Sequence, residues 1–401
     1  MHNLTKIKIF RIACWITYPL ALVFIYPLVL FKKKSSTGLF FFFDRYAIGG
    51  AQRIHLDILA SVEDVQKQVY FTRKSINTSL KQSFYSIANT KSQDIHFWCD
   101  NLLFRLFSVH YYAFYLNRHN KGHVLSANST FFYDMLPFIK KAMIRTELLH
   151  NFTHGKKGME FFGLANYKYL SFRMVYDNYT LENIEQQYAQ YHVPSPYLNK
   201  IVFIEPGVQV PSRITKNYAY PLAILYAGRG GHQKRIHLLN KIAEHCIQHN
   251  WNVRFHFAGT MINELSEMVK AHSDLHGEIS SKAEMDALYE QCHAILMTSA
   301  YEGFPMLIKE SMAYGCVPVV TALKGNLMHL NEKNSLLIKA VTDEDQVVAQ
   351  GIENINRLLH QPELLKELSV NAYEYAKEHF RRDVFLQKCR AFLLRYPAPV
   401  A

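Results

Sequence analysis

The stretch from Thr298 to Thr321 reads TSAYEGFPMLIKESMAYGCVPVVT and decides the fold class of this chain. An apolar run, Ala294 to Met297, precedes it, and the residues between Pro305 and Gly315 have helical spacing. Val317 to Val320 then resumes as a short strand. Strand, loop, helix and strand in this order predict part of a parallel α/β sheet, in which ligands bind at the carboxyl ends of the strands.

Size and charge bound the class of protein. A chain of 401 residues is too long for one ordinary core and predicts two domains, and 49% hydrophobic residues exclude a disordered chain. The net charge of +12 favours anionic partners. We expect phosphorylated substrates and anionic lipid rather than nucleic acid, because the basic residues form no arginine-rich tract.

The cysteines indicate the redox compartment. The chain has six, at positions 14, 99, 246, 292, 316 and 389, and no two form a Cys-x-x-Cys pair. Four of them lie in apolar or helical stretches. We therefore predict reduced core thiols and a cytosolic compartment.

An apolar segment near the N-terminus predicts membrane association. Ile12 to Phe31 contains no charged residue and is flanked by lysines and an arginine, at 6, 8, 11 and 32–34. Its length suffices to cross a hydrocarbon core of about 30 Å. Spanning and lying in the interface both remain open, with a buried helix or a signal peptide as the alternatives. We expect the protein at the cytoplasmic face of the inner membrane, as a peripheral protein or with one N-terminal membrane segment.

A glycine-rich loop with two cations follows another strand in the second half. Leu222 to Tyr226 is the strand, and Gly228, Arg229 and Lys234 follow before a helical pattern begins. Glycines allow close approach, and a guanidinium with an ammonium suits a diphosphate. The alternative is a solvated basic turn.

Two carboxylates flank the Gly-Phe-Pro turn of the opening stretch. Glu302 on the loop can accept hydrogen bonds from sugar hydroxyls, and Glu310 on the helix can accept both ribose hydroxyls. The backbone from Gly303 to Met306 offers N–H groups at the helix start. Two glutamates near a helix are common, so the prediction depends on the strand and turn around them.

The first half supplies a second set of candidates. Leu39 to Phe43 is a strand, and Gly49 and Gly50 follow it at the start of a helix. Two interpretations of the glycine pair are equally expected: a site that binds an anion at the helix N-terminus, and a tight turn without a ligand. His150 ends an apolar run and His154 precedes a glycine. Either histidine can carry a proton or donate to a sugar hydroxyl, or be an ordinary loop residue.

These patterns divide the chain into four parts. We predict a membrane-associating segment over 1–37, an acceptor domain over 38–211, a donor domain over 212–380 and a closing helix over 381–401 that could pack back on the acceptor domain. The only Asp-x-Asp pattern, 343–345, is interpreted as a helix N-terminus rather than a metal site. No metal or other cofactor is expected.

Together these motifs resemble the family 4 glycosyltransferases, a retaining group of glycosyl transferases group 1 with a GT-B fold. The resemblance covers about Leu39 to Phe380 and is strongest in the opening stretch, which looks like the E-x7-E segment of that family. It implies an α/β fold of two Rossmann-like doubly wound domains facing a central cleft, here with an apolar N-terminal helix. It also implies that no metal is required, and the chain departs from the family's usual residues at Gln52, Met306 and His232-Gln233.

The resemblance assigns roles residue by residue. It implies that His150, Glu302, Arg229 and Lys234 act in catalysis and that Gly49 and Gly50 belong to the family's glycine loop. We expect these two glycines and His154 to line a phosphate or acceptor loop. The donor is implied to contact Gly228, Arg229, Lys234, Glu302, Gly303, Phe304, Pro305, Met306, Leu307 and Glu310.

The resulting hypothesis is a hexosyltransferase-type enzyme. It would move a sugar, with retention, from a UDP- or GDP-sugar to a glycan or lipid-linked acceptor, in bacterial surface polysaccharide or lipopolysaccharide synthesis. Two alternatives remain: a nucleotide-sugar epimerase of the same fold, and a membrane-anchored glycan-binding subunit without activity.

Overall fold

The computed structural model describes residues 3–34, 36–47, 49–153 and 158–395. Within them the chain forms two compact units. The first contains residues up to 205 and from 385 onward, and the second contains 206–384. The units therefore divide after Glu205, whereas the sequence pattern predicted a boundary after Pro211.

The described part of the first unit is built on a parallel sheet with helices between the strands. Its strands are β1 (Leu39–Phe43), β2 (Lys67–Phe71), β3 (Thr90–Asp94), β4 (Gly122–Ala127), β5 (Met143–Leu148), β6 (Phe172–Val175) and β7 (Ile201–Phe203). Its helices are α1 (Asn3–Phe24), α2 (Tyr26–Phe31), α3 (Gly50–Ala60), α4 (Lys81–Tyr85), α5 (His96–Asp100), α6 (Leu102–Asn117), α7 (Thr130–Met135), α8 (Glu160–Asn166) and α9 (Asn178–Gln190).

The second unit repeats the same plan. Its strands are β8 (Leu222–Ala227), β9 (Val253–Ala258), β10 (Asp274–Gly277), β11 (Ala294–Met297), β12 (Val317–Thr321) and β13 (Leu336–Ile338). Its helices are α10 (Ile236–Gln248), α11 (Glu267–Ala271), α12 (Lys282–Gln291), α13 (Met306–Met312), α14 (Glu344–His360) and α15 (Pro362–His379). The last helix, α16 (Arg382–Leu393), begins in this unit and belongs to the first from Phe385 onward.

Both sheets have the doubly wound strand order. The first runs β3-β2-β1-β4-β5-β6-β7 and the second β10-β9-β8-β11-β12-β13, with parallel neighbours throughout. In each, chain progression reverses direction beside the first strand, between β1 and β4 and between β8 and β11. Such a switch point leaves a crevice at the carboxyl ends of the strands, where ligands bind. The loops after β8 and β11 therefore meet at one place.

Burial follows the apolar patterns. The five residues of β1 are each at most 4% exposed, as expected of a parallel strand covered on both faces. All six cysteines are buried and none forms a disulfide. Asp343 caps α14, its side chain accepting from the backbone N–H groups of Asp345 and Gln346, so this acidic run begins a helix.

The N-terminal segment is helical. The part from Leu4 to Phe24 is long and apolar enough to cross a membrane, with a mean hydropathy of 1.6, and only 17% of its most apolar window is buried. It packs by a narrow seam on the first unit, whose aromatic core includes Tyr112, Phe114 and Phe132.

Candidate functional site

The loops after β8 and β11 are joined by hydrogen bonds. The backbone N–H of Ala300 donates to the Gln233 carbonyl (2.8 Å), and the Gln233 side-chain amide donates to the Tyr301 carbonyl (2.8 Å). The Thr298 hydroxyl lies 3.2 Å from the Lys234 carbonyl and 3.1 Å from that of Arg235. The two loops therefore form one rigid surface at the switch point of the second sheet.

The buried side chain of Arg235 holds the two loops together. Its side chain is buried, and its backbone has the left-handed conformation with φ of 48° just before α10. The guanidinium donates to the carbonyls of Thr298 (2.6 Å), Ser299 (2.9 Å) and Val341 (2.7 Å). Burial lowers the pKa of this group. The clamp places the preceding residue, Lys234, over the β11 loop.

Lys234 and Glu302 form an ion pair with each other. The ammonium contacts a carboxylate oxygen, and the two side chains are 19% and 11% exposed. The sequence motifs predicted one for the diphosphate and the other for the donor sugar, and the structure brings both charges to one point. A cation and an acceptor side by side suit a ligand that combines phosphate with sugar hydroxyls.

The glycine loop before Lys234 lies against the loop after β9. A Cβ on Gly259, whose φ is 116°, would fall 2.0 Å from the Gly228 carbonyl oxygen, so only glycine fits there. The Tyr226 hydroxyl donates to the Arg229 carbonyl (3.0 Å) and shapes the turn. The Arg229 side chain itself is exposed to solvent at this edge.

The Gly-Phe-Pro turn is anchored by Phe304. This ring is 7% exposed and lies 4.5 Å from the His329 ring and 5.5 Å from the Phe380 ring, centroid to centroid. Gly303 packs against the loop that contains Gly325. Pro305 then caps α13, and Met306 and Leu307 are its first two residues. Phe304 therefore serves as a core anchor that sets where the turn lies.

Glu310 lies in α13 and is held from α12. The Tyr289 hydroxyl donates to one carboxylate oxygen of Glu310 at 2.8 Å, and Tyr289 is itself 2% exposed. The contact fixes the direction of the carboxylate. It leaves Glu310 partly exposed, as its predicted role requires.

His150 belongs to the first unit and has a partner at each ring nitrogen. Its Nε2 lies 2.7 Å from the Nε2 of His55, and its Nδ1 lies 2.9 Å from the Tyr176 hydroxyl. The residue is 4% exposed. Burial lowers the pKa of His150 to about 3 and the pKa of His55 well below its ordinary value, so both rings are neutral at neutral pH.

The glycine candidates of the first unit lie at the start of α3, the helix that contains His55. Gly49 precedes α3 and Gly50 begins it, and His55 lies one turn further along, stacked 4.2 Å from the Phe43 ring. His154 lies outside the described residues. In that described part no group of three His, Cys, Asp or Glu side chains could share a metal ion.

Three residues that contact the candidate residues of their own unit were missed in the sequence. Arg235 and Tyr289 carry no local signal, since their partners lie far along the chain. His55 could have been found, because it lies among the buried positions Ile54, Ile58 and Leu59 of the predicted helix.

The second unit matches a known family. The family model described as Glycosyl transferases group 1 matches residues 213–375, which include the loops after β8 and β11 and the whole of α13. None of the curated proteins matches the chain. The match therefore covers the donor candidates and leaves the first unit outside.

Solved structures show the same fold. HepE from Anabaena, solved with UDP-glucose, is 14% identical with a TM-score of 0.67, and the alignment covers 89% of this chain and 99% of that one. The lipopolysaccharide outer core galactosyltransferase WaaB is 15% identical with a TM-score of 0.63, at 89% and 99% coverage.

A third structure is longer than this chain. The pneumococcal O-GlcNAc transferase GtfA, solved with UDP and GlcNAc, is 18% identical with a TM-score of 0.59 over 73% of this chain. This chain spans only 60% of the GtfA chain. The expectation of a GT-B fold with two doubly wound α/β units and an apolar N-terminal helix is confirmed.

Replacing Arg235 tests the clamp. We expect Arg235→Gln to lower the free energy of unfolding by roughly 3 kcal/mol, because buried carbonyls lose charge-assisted hydrogen bonds. Arg254→Gln is the matched control, since Arg254 is 44% exposed and pairs with Asp274 at the surface. That control should cost less than about 1 kcal/mol in urea unfolding. Equal losses in the two variants would contradict the assigned clamp.

Acidification tests the neutral histidine pair. Because the pKa of folded His150 is about 3, against an ordinary 6.5, the unfolded chain binds this proton first as pH falls. The unfolding free energy should therefore decrease as pH falls from 6.5 toward 3. In the His150→Asn variant, the slope of the unfolding free energy against pH should be smaller by about 1.4 kcal/mol per pH unit. His192→Asn, at an exposed position with φ of 51°, is the control and should leave it unchanged.

Proposed function

We propose that this chain, whose second unit contains a glycosyl transferases group 1 domain, transfers a hexose from a nucleotide-diphosphate sugar to a glycan or lipid-linked acceptor. The observation that carries the proposal is the Lys234–Glu302 ion pair at the switch point of the second sheet. It joins a cation for phosphate and an acceptor for sugar hydroxyls in one place. The UDP-bound neighbours HepE and GtfA support a UDP-sugar as the donor.

Each side chain then has a definite task in the transfer. The bond between the anomeric carbon and the diphosphate oxygen breaks while an acceptor hydroxyl oxygen bonds to that carbon, and the hydroxyl proton passes to the departing diphosphate. Negative charge grows on the departing diphosphate, and Lys234 with Arg229 stabilises it. We propose that the reaction needs no metal and proceeds with retention, as the resemblance of the Glu302–Glu310 segment implies.

The donor is held by the remaining groups of the second unit. Glu302 and the Gly303-Phe304 turn position the sugar, and Glu310, directed by Tyr289, accepts from ribose hydroxyls. In the first unit, His150 can donate to a sugar hydroxyl only by exchanging one of its present partners, His55 or Tyr176. Its buried, neutral ring suits a hydrogen-bond donor better than a proton acceptor.

The N-terminal helices and the net positive charge of the chain suggest the class of acceptor and the cellular location of the protein. A net charge of +12 and an apolar N-terminal helix support an acceptor presented at a membrane surface. We infer a role in bacterial surface polysaccharide or lipopolysaccharide synthesis at the cytoplasmic face of the inner membrane. The similarity to WaaB supports this inference.

Two substitutions test the donor site. We expect Lys234→Ala to reduce turnover roughly 100-fold or more, because a preorganised charge on the leaving group is lost. Glu310→Gln should mainly raise KM for the donor, roughly tenfold, because one charged hydrogen-bond acceptor is lost. Lys241→Ala is the control, an exposed lysine on α10, and should retain activity.

The assay begins with a thermal-shift screen of UDP-, GDP-, ADP- and CMP-sugars, since a bound donor raises stability by mass action. Transfer is then measured with the donor that stabilises the protein. Unchanged transfer by both variants would refute the site. An altered sugar still attached to its nucleotide, formed without acceptor, would identify an epimerase. No stabilisation by any donor would favour a subunit without activity.

A further inference from the structure

The N-terminal helices lie along the first unit and pack on it by one narrow seam. The buried residues of this seam recur at intervals of seven and then four: Ile7, Cys14, Ala21, Ile25 and Val29. The Tyr18 ring stacks on Phe138 with centroids 5.4 Å apart, and Tyr26 meets Phe114 edge-on at the same distance. The seam thus runs the whole length of α1 and α2.

Polar contacts fasten these helices at the beginning, middle and end. The Arg11 guanidinium donates to the Asn166 side chain (2.8 Å), and the Thr17 hydroxyl lies 3.0 Å from His110 Nε2. At the far end the Arg118 guanidinium donates to the Val29 carbonyl (2.7 Å). A helix that crossed a hydrocarbon core of about 30 Å would have to leave these partners, or take the polar surface of the unit into lipid.

The opposite face of the helices is apolar and exposed. Its large side chains are between 49% and 89% exposed: Ile12, Trp15, Ile16, Leu20, Val23, Phe24, Leu28, Leu30 and Phe31. A face of this size is rare on a protein surface that meets only water. It requires a nonpolar occupant.

A second apolar group continues this face. Phe97, Trp98, Leu102 and Leu103, at the start of α5 and α6, are between 50% and 70% exposed. They lie near the beginning of α1, because the Arg105 guanidinium on α6 is 5.6 Å from the Phe10 ring centroid. We call the two groups together the apolar face.

Lysines border the apolar face at both ends. Lys6 and Lys8 are exposed at its beginning, and Lys33 and Lys34 at its end. The latter two also line a cavity of about 500 Å³ with Lys32, Lys67 and Lys91, and its described lining holds no acidic side chain. Lys67 donates to the carbonyls of Val62, Val65 and Ala88. The Lys32 ammonium lies over the Tyr111 and Tyr115 rings. The exposed Lys33, Lys34 and Lys91 therefore remain for an anion.

We propose that the apolar face lies flat in the headgroup region of an anionic phospholipid bilayer, without spanning it, and that the lysine-lined cavity takes an anionic headgroup. Two observations favour lipid over a second protein: positive charge at both ends of the apolar face, and half-exposed tryptophans at positions 15 and 98. The proposal sharpens the membrane association inferred above. It is independent of sugar transfer.

Tryptophan quenching tests the geometry. The chain has three tryptophans, two on the apolar face and Trp251 in the second unit. Variants that keep one tryptophan each, with phenylalanine at the others, are mixed with phosphatidylcholine–phosphatidylglycerol vesicles that carry brominated acyl chains. We expect quenching of Trp15 and Trp98, stronger from bromines near the glycerol end than near the chain terminus. Trp251 should remain unquenched.

Co-sedimentation with vesicles of the same composition but without bromine tests how much individual side chains contribute to membrane binding. Ile16→Glu and Leu103→Glu should each weaken binding roughly tenfold or more, because a large apolar side chain no longer enters lipid. Lys33→Ala should weaken it roughly fivefold. Val370→Glu, at a 41% exposed position of α15, is the control. Pure phosphatidylcholine should bind weakly.

Several outcomes would overturn the proposal. The first three are unchanged binding by both glutamate variants, absence of Trp98 quenching, and equal binding to neutral vesicles. The fourth is retention of the bound protein in the membrane after an alkaline carbonate wash, because a spanning helix would resist that wash. Circular dichroism confirms folding of each variant, and these exposed positions should tolerate substitution. The vesicles contain no nucleotide sugar, so failure here leaves the transfer reaction unaffected.

Discussion

The site of the second unit depends on one buried guanidinium. Arg235 adopts a left-handed backbone conformation, which costs roughly 1 to 3 kcal/mol in a residue other than glycine. Three hydrogen bonds to the carbonyls of Thr298, Ser299 and Val341 offset this cost. The same bonds tie the N-terminus of α10 to the loops after β11 and β13. Lys234 meets Glu302 because its neighbour is held in this way.

The topology explains why such a clamp is needed. At the switch point β8 and β11 are neighbours in the sheet, although Lys234 and Glu302 are 68 residues apart in the chain. Their loops have no regular hydrogen-bond ladder of their own. Side chain to backbone bonds therefore supply the rigidity that a preorganised site requires.

The sequence predicted those features that are local. The apolar run, turn and helix of the opening stretch correspond to β11, Phe304 and α13, because each has a periodicity or a turn residue that identifies it. β3 lacks such a pattern: its residues, TKSQD, form a strand only because β2 offers them an edge. The pairing of Lys234 with Glu302 likewise depends on strand order, which no local pattern contains. In the N-terminal segment hydropathy alone could not separate spanning from lying flat, because Arg11, Thr17 and Arg118 find their partners only in the folded unit.

In the proposed transfer, Lys234 recognises diphosphate and Glu302 recognises sugar. Calorimetric titration of UDP and of a UDP-sugar into Lys234→Gln and Glu302→Gln tests it most directly. We expect the lysine variant to lose affinity for both ligands, and the glutamate variant to lose affinity for the UDP-sugar while still binding UDP. Equal weakening of the two ligands by Glu302→Gln, or no weakening by Lys234→Gln, would contradict this division of roles.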